Sequence, residues 1–288
     1  MDTPAFQRIG IVGSGRVARA LALALVPHSP MPLCLSGRMP EKLSVAAAQT
    51  GALGVCIDDL ARDCDVIAIT VSDEALAAVA ADLATMIPEH RTPFVFHVSG
   101  SSGAAILAPL RRAGAMTAAI HPAMTFTGDA ESEVGRMTTA RFAITGDSRR
   151  ASELAHHIVG LLGGVPVDVD EARRPLYHAA LCHASNHLVT LMTGASHALA
   201  EAGVDHPEEL LAPLVRAALE NSLERGFAAL SGPLLRGDHQ TVEGHLMALG
   251  SYCPDLLPAY RAMALATLDE LQRSGSPDAA SAIRRKLG

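Results

Sequence analysis

A set of polar side chains on one predicted helix could carry acid–base chemistry. In the helix sequence YHAALCHASN, helical spacing places four of the polar residues on one face: His178, Cys182, Ser185 and Asn186. His178 is a candidate proton donor, and Asn186 could hydrogen-bond a substrate oxygen. Tyr177 and Ser185 are candidate substrate-binding residues. Polar packing in a core or a dimer interface would explain the same pattern, and this alternative stays open.

The same stretch holds two histidines, His183 and His187, at the spacing of a shared metal ion. The motif is HASNH rather than HExxH, and no nearby acid offers a third ligand. We therefore predict no metal site.

A turn later in the chain offers a cation for substrate binding. The sequence SGPLLRGDHQTV contains turn-forming Gly-Pro and Arg-Gly-Asp, and Asp238 is placed to cap the following helix. Capping does not explain Arg236, whose guanidinium could bind a substrate carboxylate through two hydrogen bonds. We predict that Arg236 binds substrate from a loop.

A glycine-rich turn near the start of the chain is typical of dinucleotide binding. In IGIVGSGRVA the glycines directly follow an apolar strand and open a helix, as the fingerprint requires. The free N–H groups of the helix would then face a pyrophosphate. The predicted cofactor-binding residues here are Gly13, Ser14, Gly15, Arg16 and Val17. The alternative is an ordinary glycine-rich turn.

The end of the second strand indicates which dinucleotide binds. NAD-specific sites place Asp or Glu at this point, on the ribose hydroxyls. This sequence has Ser36 and Arg38 instead, a hydroxyl and a guanidinium that suit the 2′-phosphate of NADP. NADP(H) is therefore the predicted cofactor, although Arg38 and Lys42 could also be the solvated start of a helix. The missing acid also disfavours a methyltransferase site for an S-adenosyl group.

Further strands of the first half end in small or polar residues. Ligands of open α/β sheets lie at the carboxyl ends of the strands. Val71 and Ser72 are predicted to contact the cofactor, and Ser99 to contact both cofactor and substrate. His121 is a candidate catalytic residue, with a structural histidine as the equal alternative. Asp73 is predicted to be the N-cap of a helix.

Strands alternate with helices up to about residue 170, which predicts βαβ units and a sheet covered on both faces. The predicted strands are 8–13, 31–37, 65–71, 93–100, 116–121, 141–146 and 165–170, and the predicted helices are 16–25, 40–50, 73–86, 104–113 and 150–162. The second half reads as helices only, at 175–202, 207–230, 238–251 and 255–273. We predict an α/β Rossmann domain over 1–170, with a mostly parallel doubly wound sheet, and an all-α domain over 171–288. Direct packing of the two would leave a cleft.

Composition excludes several classes of protein. Hydrophobic residues make up 49% of the 288 residues and charged residues 18%, so the chain can bury a sizeable core. A net charge of -7 argues against a nucleic-acid surface. The uncharged stretch 175–200 contains four histidines, so we predict a buried helix or a subunit interface rather than a membrane span. The start lacks a signal-peptide pattern, and five irregularly spaced cysteines fit buried thiols in a reducing compartment, so we expect a cytoplasmic protein.

Together these motifs resemble the Rossmann-like proteins that carry a C-terminal domain of unknown function 2520. The matching stretches are GSGRVA at 13–18, VSD at 71–73, HVSG at 97–100, HPAMTF at 121–126, YHAALCHASNHLVTL at 177–191 and SGPLLRGDHQTVEGHL at 231–246. That family is similar in architecture to the 6-phosphogluconate dehydrogenase-like reductases, including ketopantoate and pyrroline-5-carboxylate reductases. The resemblance implies an NADP-dependent oxidoreductase that forms a homodimer through its C-terminal helices.

The chain departs from related hydroxyacid dehydrogenases and ketopantoate reductases at one position. Those enzymes use a lysine four residues before an asparagine on the first long helix, where this chain has Cys182 before Asn186. The two lysines present, Lys42 and Lys286, are not expected to replace it.

A histidine with a pKa near neutrality could deliver the proton instead, and His178 and His121 are the candidates. We expect reduction of the C=O or C=N of a small carboxylate-bearing molecule such as a 2-oxo acid, a cyclic imine or a ketopantoate-like compound. The alternative is a catalytically idle NADP-binding sensor that signals through its dimer.

Overall fold

The computed structural model describes residues 6–275 and 280–287. The chain forms two compact units, Met1–Cys182 and His183–Gly288. The first unit contains a sheet covered by helices, and the second consists of helices. The division between the units falls within a long helix, after Cys182, whereas we predicted a domain boundary near residue 170.

Eight strands form one sheet in the first unit. They are β1 Ile9–Val12, β2 Cys34–Ser36, β3 Leu53–Gly54, β4 Val66–Ile69, β5 Phe94–His97, β6 Met116–Pro122, β7 Arg141–Gly146 and β8 Val165–Asp168. Their order is β3-β2-β1-β4-β5-β6-β7-β8, and every neighbouring pair is parallel except β6 and β7. The predicted mostly parallel Rossmann sheet is confirmed.

Helices cover both faces of this sheet. They are α1 Arg16–Leu25, α2 Pro40–Thr50, α3 Ile57–Asp63, α4 Asp73–Met86, α5 Ala108–Arg112, α6 Ala130–Met137 and α7 Arg149–Leu161. Buried apolar residues of α1, α2, α6 and α7 share one cluster with the strands, and those of α3, α4 and α5 share another. The sheet is therefore doubly wound, because alternate strand residues meet separate layers of helices.

The strand register brings several predicted site residues to one edge of the sheet. Val12 pairs with Ser36 and with Ile69, and Ile69 pairs with His97. The turns after β1, β2, β4 and β5 therefore begin at the same level. Strand β6 continues past this level and carries His121.

The second unit is helical, as predicted. Its elements are α8 Arg174–Glu201, which begins in the first unit, α9 Pro207–Arg225, α10 Pro233–Arg236, α11 His239–Tyr252, α12 Leu257–Arg273 and α13 Ala280–Leu287. A small apolar core joins α11, α12 and α13 through residues such as Val242, Leu268 and Ile283. By contrast, no residue of α9 is buried, and Arg174 is the one buried residue of α8.

Several expectations need correction. Asp73 is the first residue of α4 rather than its N-cap, which is Ser72. The predicted helix over 104–113 is a 3-10 turn, Ala104–Leu107, followed by the short α5. Elements β3, α3 and α6 were not predicted, since they are short and lack a long apolar period.

The predicted buried thiols are confirmed for Cys34, Cys64 and Cys253, but Cys56 is exposed and Cys182 is half-buried. Cys56 is exposed because it caps the start of α3, where its Sγ accepts a hydrogen bond from the N–H of Asp59. Helix α8 is not a buried helix, so of the two predictions for it the subunit interface stays open. None of the helices in the described part of the chain has the length and apolarity that crossing a bilayer requires.

Candidate functional site

The turn after β1 needs glycine at its first position for reasons internal to the protein. Gly13 has a φ of 137°, which side-chain-bearing residues rarely adopt. Its N–H donates to the carbonyl of Ser36 at 2.7 Å, and a Cβ here would collide with Oγ1 of Thr70. Gly13 therefore makes the tight turn between β1 and α1.

Gly15 differs, because nothing in the described protein requires a glycine there. Its φ of -78° suits any residue, and an added Cβ would meet no atom within 4 Å. It is the N-cap of α1, and no side chain caps the first turn of this helix. The free N–H groups and the open space above the backbone fit the close approach of a pyrophosphate.

A cavity of about 640 Å³ lies beside this turn. The predicted cofactor-binding residues that line it are Gly13, Ser14, Gly15, Ser36, Arg38, Val71 and Ser72. Apolar side chains that the motif search missed complete the lining, namely Val55, Ile57, Val79 and Met86. A mixed apolar and polar lining of this size suits a nucleotide.

Two cations stand on the side of the cavity where β2 ends. Arg38 and Lys42 both line it, and both are exposed. Asp82, on α4, is the acidic residue among the described residues of the lining. These two cations could hold a 2′-phosphate, and their exposure is equally compatible with the solvated helix start that the sequence left as the alternative.

Three residues predicted to contact the cofactor lie outside this cavity lining. The guanidinium of Arg16 donates to the carbonyl of Phe126 at 3.3 Å, so it is hydrogen-bonded within the protein. Val17 packs against the apolar layer under α1. Ser99 belongs to a second group of residues, at the end of β5.

That second group begins with a buried histidine that shapes the loop after β5. Nε2 of His97 donates to the carbonyl of Gly103 at 2.9 Å, and its Nδ1 accepts from the N–H of Ser99 at 3.1 Å. Burial lowers the pKa of His97 to about 4, so the ring is neutral and holds the loop in place. The sequence offered no signal for this role.

A chain of hydrogen bonds runs outward along the same loop. The hydroxyls of Ser99 and Ser101 lie 3.3 Å apart, and Ser101 donates to the carboxylate of Asp73 at 3.0 Å. Ser99 is buried and Asp73 is exposed, so the chain links the interior of the sheet edge to solvent. The Asp73 side chain therefore orders the loop instead of capping its own helix.

His121, at the end of β6, pairs with Tyr177 in the first turn of α8. Nδ1 of His121 lies 2.9 Å from the phenol oxygen of Tyr177, and the two rings are nearly perpendicular. The ring of His178 stands edge-on to His121 at 6.0 Å. The structure thus brings together three residues that the sequence analysis had singled out separately.

The pKa of His121 contradicts one of our expectations. Burial, followed by the charges of Arg174 and His178, lowers this pKa to about 4. His121 is therefore neutral near pH 7 and cannot act as a cationic acid with a pKa near neutrality. Burial also raises the pKa of Tyr177, against an opposite effect of Arg174, so the phenol keeps its proton.

Arg174, which the sequence analysis missed, is fully buried beneath this cluster. Its Nε donates to Oγ1 of Thr145 at 2.8 Å, and its Nη2 donates to the carbonyls of Ala119 and Ala143 at 3.2 and 2.9 Å. Its Nη1 has no hydrogen-bond partner among the described residues. Arg174 therefore anchors the start of α8 to β6 and β7 and places a buried cation beside Tyr177.

The rest of the predicted polar face of α8 continues from this cluster. Sγ of Cys182 lies 3.7 Å from Nε2 of His178, one turn away. Ser185 is half-buried and Asn186 is exposed on the following turn. Helix spacing keeps these residues on the side of α8 that carries His178.

Two other predictions concern the second unit. The Nδ1 atoms of His183 and His187 lie 3.1 Å apart, and no group of three or more metal-ligating side chains occurs among the described residues. Arg236 is exposed, but it ends the short helix α10 rather than lying in a loop. Asp238 caps α11 by accepting from the N–H of Thr241, as predicted.

Solved structures with the same fold cover most of the chain. A candidate NADP oxidoreductase from Bacteroides fragilis is 20% identical, with a TM-score of 0.75 over 91% of this chain and 97% of that one. A reductive aminase from Aspergillus terreus, solved with NADPH and ethyl-5-oxohexanoate, is 16% identical, with a TM-score of 0.69 over 97% and 99%. A pyrroline-5-carboxylate reductase from Coxiella burnetii is 17% identical, with a TM-score of 0.56 over 94% and 98%. These likenesses establish the fold.

No curated protein matches the sequence. Two family models do, in consecutive parts of the chain. The Rossmann-like domain matches residues 2–122, which contain the glycine turn and the cavity, and the domain of unknown function DUF2520 matches residues 140–267, which contain α8 and the Arg236 region. The chain is therefore a member of the Rossmann-like proteins with a C-terminal DUF2520 domain.

Proposed function

We propose that this protein is an NADP(H)-dependent oxidoreductase that reduces the C=O or C=N of a small carboxylate-bearing metabolite. The observation that carries the proposal is Gly15. Neither its backbone conformation nor its surroundings require a glycine, and it lines a cavity that is also lined by Arg38 and Lys42. The names of the structural neighbours, which include a reductive aminase solved with NADPH and a pyrroline-5-carboxylate reductase, support the same class of chemistry.

The proposed roles of the residues follow from their positions. The N–H groups at the start of α1 bind the pyrophosphate, and Arg38 with Lys42 binds the 2′-phosphate. When bound, NADPH supplies the hydride. Ser99 and His121 offer polar atoms at the strand ends where the substrate would lie, and Arg236 offers its exposed guanidinium to the substrate carboxylate.

On α8, His178 is our candidate for orienting or protonating the substrate. Asn186, two turns later on the same side of the helix, would hydrogen-bond the substrate oxygen, next to Ser185. Tyr177 lies beside His121 and is proposed to act through it.

We also propose that the chain forms a homodimer through its C-terminal helices. A helix that belongs to a folded monomer normally buries one apolar stripe, but α9 buries none. Large apolar side chains on α8, α9 and α11 remain exposed, including Val189 at 67%, Leu214 at 62%, Leu223 at 79% and Met247 at 65%. A second copy of the chain would cover these side chains, since clustered exposed apolar residues mark protein–protein interfaces.

Light scattering on purified protein tests the dimer. Wild type should show twice the chain mass of 29.9 kDa, and Leu223→Glu should dissociate it. Val45→Glu is the matched control, because Val45 is an exposed apolar residue on α2, in the first unit, and this variant should remain dimeric. A wild-type protein that is monomeric at micromolar concentration refutes the dimer.

The alternative function is an NADP-binding sensor without catalysis. Its support is the position of the two lysines, since Lys42 lines the cavity and Lys286 pairs with Glu243. Neither is in the His121 cluster, so the usual lysine chemistry of related reductases has no direct replacement.

NADPH binding and NADPH oxidation with a panel of 2-oxo acids and cyclic imines separate the two functions. Turnover that is lost in His178→Ala and Asn186→Ala with NADPH affinity retained supports the reductase. His197→Ala, on an exposed turn of the same helix, is the control and should keep wild-type turnover. Tight NADPH binding without turnover on any compound supports the sensor, and failure to bind NADPH refutes both.

A further inference from the structure

We propose that Tyr177 and His121 form a concerted two-proton relay, in which His121 protonates the substrate through Nε2 while Tyr177 replaces that proton at Nδ1. Arg174 is the positioning residue of the relay, because it anchors Tyr177 and holds a positive charge beside it. This inference rests on the proposed reductase function.

The first support is the hydrogen bond between the two side chains, 2.9 Å from Nδ1 of His121 to the phenol oxygen of Tyr177. A neutral imidazole has one N–H, and a neutral phenol has one proton to donate. Burial and the charges of Arg174, His178 and His97 lower the pKa of His121, against an opposite effect of Asp73 on α4, and so keep the ring neutral. The neutral ring can therefore carry its proton on Nε2 and accept the phenol proton at Nδ1, which is the tautomer that the relay requires.

The second support is the location of the other ring nitrogen. Nε2 of His121 lies beside Gly100, where an added Cβ would come within 2.9 Å of it. Gly100 directly follows Ser99 after β5, at the sheet edge where ligands of this fold lie. The N–H that would reach a substrate is therefore at the functional edge of the sheet, and the phenol O–H that replaces its proton lies at the other ring nitrogen.

The proton balance closes with one proton from solvent in each cycle. As the substrate carbon accepts a hydride, its oxygen or nitrogen takes the proton from Nε2, and Nδ1 takes the phenol proton. Tyr177 becomes a tyrosinate, which the Arg174 guanidinium stabilises from 5.8 Å above the ring centroid. A solvent proton then returns to Nε2 while Nδ1 gives its proton back to Tyr177, and the original state is restored.

Arg174 suits this role because no described acidic side chain lies within ion-pair distance of it. Its hydrogen-bond partners are a hydroxyl and two carbonyls. Burial lowers the pKa of Arg174, and the smaller opposite effect of the Glu171 charge acts only from beyond ion-pair distance. A buried cation without a hydrogen-bonded counter-ion is costly to keep. Transient formation of an anion at Tyr177 gives that cation a function in each cycle.

The chain contains a matched control pair. In the second unit, Nδ1 of His245 lies 2.8 Å from the phenol of Tyr260, and the rings are perpendicular at 5.9 Å. This pair has the contact geometry of His121 and Tyr177 but lacks the buried arginine. Tyr260→Phe therefore shows the effect of losing a Tyr–His hydrogen bond that is not part of the proposed relay.

Nitrogen NMR of the histidines tests the ground state without added cofactor or substrate. In wild type, His121 should show an unprotonated, hydrogen-bonded Nδ1 and a protonated Nε2. Tyr177→Phe should shift the Nδ1 resonance of His121, whereas Tyr260→Phe should shift that of His245 only. A protonated Nδ1 in wild type would overturn the relay.

Kinetics on a compound from the panel tests the transfer. Tyr177→Phe should lower kcat by about 100-fold with KM changed less than about threefold, as expected for a lost proton donor. His121→Asn should lower kcat at least as much, and the double variant should be no slower than His121→Asn alone, because a relay works as one unit. Tyr260→Phe should keep wild-type kcat.

A proton inventory, which measures the rate in mixtures of H2O and D2O, tests the relay on the wild-type protein. It therefore remains available if a variant does not fold. The rate of proton transfer should depend on the deuterium fraction along a curve, since two protons move together. A linear dependence, or a Tyr177→Phe variant with more than a third of wild-type kcat, overturns the relay but leaves the reductase. A wild-type protein that binds NADPH but reduces none of the compounds would contradict both the relay and the reductase function.

Discussion

Gly100 leaves the space that the ring of His178 fills, since a Cβ added to Gly100 would lie 2.5 Å from Cδ2 of His178. The same Cβ would lie 2.9 Å from Nε2 of His121. Gly100 thereby allows the loop after β5 to lie close to the two histidine rings. The turn needs glycine for space, so any side chain there must displace the proposed catalytic groups.

We predict that Gly100→Ala will destabilise the protein by about 1–3 kcal/mol, the usual cost of overpacking, and will lower turnover more than NADPH affinity. Gly160→Ala is the control, because Gly160 lies in the exposed part of α7 with no atom within 4 Å of an added Cβ. The free energy of unfolding in urea measures both. Equal stability of the two variants would show that the rings of His178 and His121 can move aside without a loss of stability, and would contradict the prediction.

Gly13 and Gly15 should respond to alanine in opposite ways. Gly13→Ala should lower the melting temperature, because its φ is positive and Thr70 blocks the Cβ. Gly15→Ala should keep the melting temperature but weaken NADPH binding by about tenfold or more, equivalent to about 1.4 kcal/mol, because the methyl group would occupy the space for the pyrophosphate. Calorimetry and titration with NADPH provide the two measurements. Unchanged NADPH affinity in Gly15→Ala would contradict the proposed seat of the pyrophosphate.

The cofactor turn was predictable because its signal is local. Gly13 and Gly15 lie within one motif, and the strand before it and the helix after it are visible as apolar periods in the sequence. The position of Arg38 in the cavity lining could be predicted from its distance along the chain alone, since β2 is next to β1 in this fold. The apolar side of the cavity was not predictable, because it depends on how α3 and α4 approach the turn.

The second cluster could be predicted only as separate residues. His121 and Tyr177 are 56 positions apart, and their hydrogen bond depends on where α8 begins against β6. Arg174 lies in the polar stretch EARRPLYH, which reads as surface. It is buried because β6 and β7 run antiparallel and present carbonyls to it, and an antiparallel pair was not visible in the sequence.

The dinucleotide preference should depend on Arg38. Removing its guanidinium in Arg38→Ala should weaken NADPH binding by about 10- to 100-fold, the range for a lost charge-assisted hydrogen bond, and leave NADH binding within about twofold. Arg149→Ala is the control, because the Arg149 side chain is 95% exposed on α7, away from the cavity lining. Fluorescence titration with each coenzyme is the measurement. Equal weakening of both coenzymes would contradict the assignment of Arg38 to the 2′-phosphate.

The stability of the protein should fall as the pH decreases from about 6.5 to about 4. The pKa of His121 is about 4 in the folded protein, below the value of about 6.5 for an unfolded histidine. Between these values the unfolded chain binds a proton that the folded protein does not, so acid favours unfolding; above about 6.5 the full contribution is present. Burial also lowers the pKa of His97 to about 4, so His97 contributes to the loss of stability over the same pH range.

Urea unfolding at pH 7.5 and pH 4.5 should show the contribution of His121. The loss of unfolding free energy between these pH values should be about 2–3 kcal/mol smaller in His121→Asn than in wild type, because the variant lacks this proton uptake. Carboxylates contribute to both proteins and cancel in the difference. His90→Gln removes an exposed histidine far along the chain from His121 and is the control, so it should keep the wild-type loss. A His121→Asn variant that loses as much stability as wild type would show that His121 takes up its proton while folded, and the neutral ring on which the Tyr177 relay depends would then be wrong.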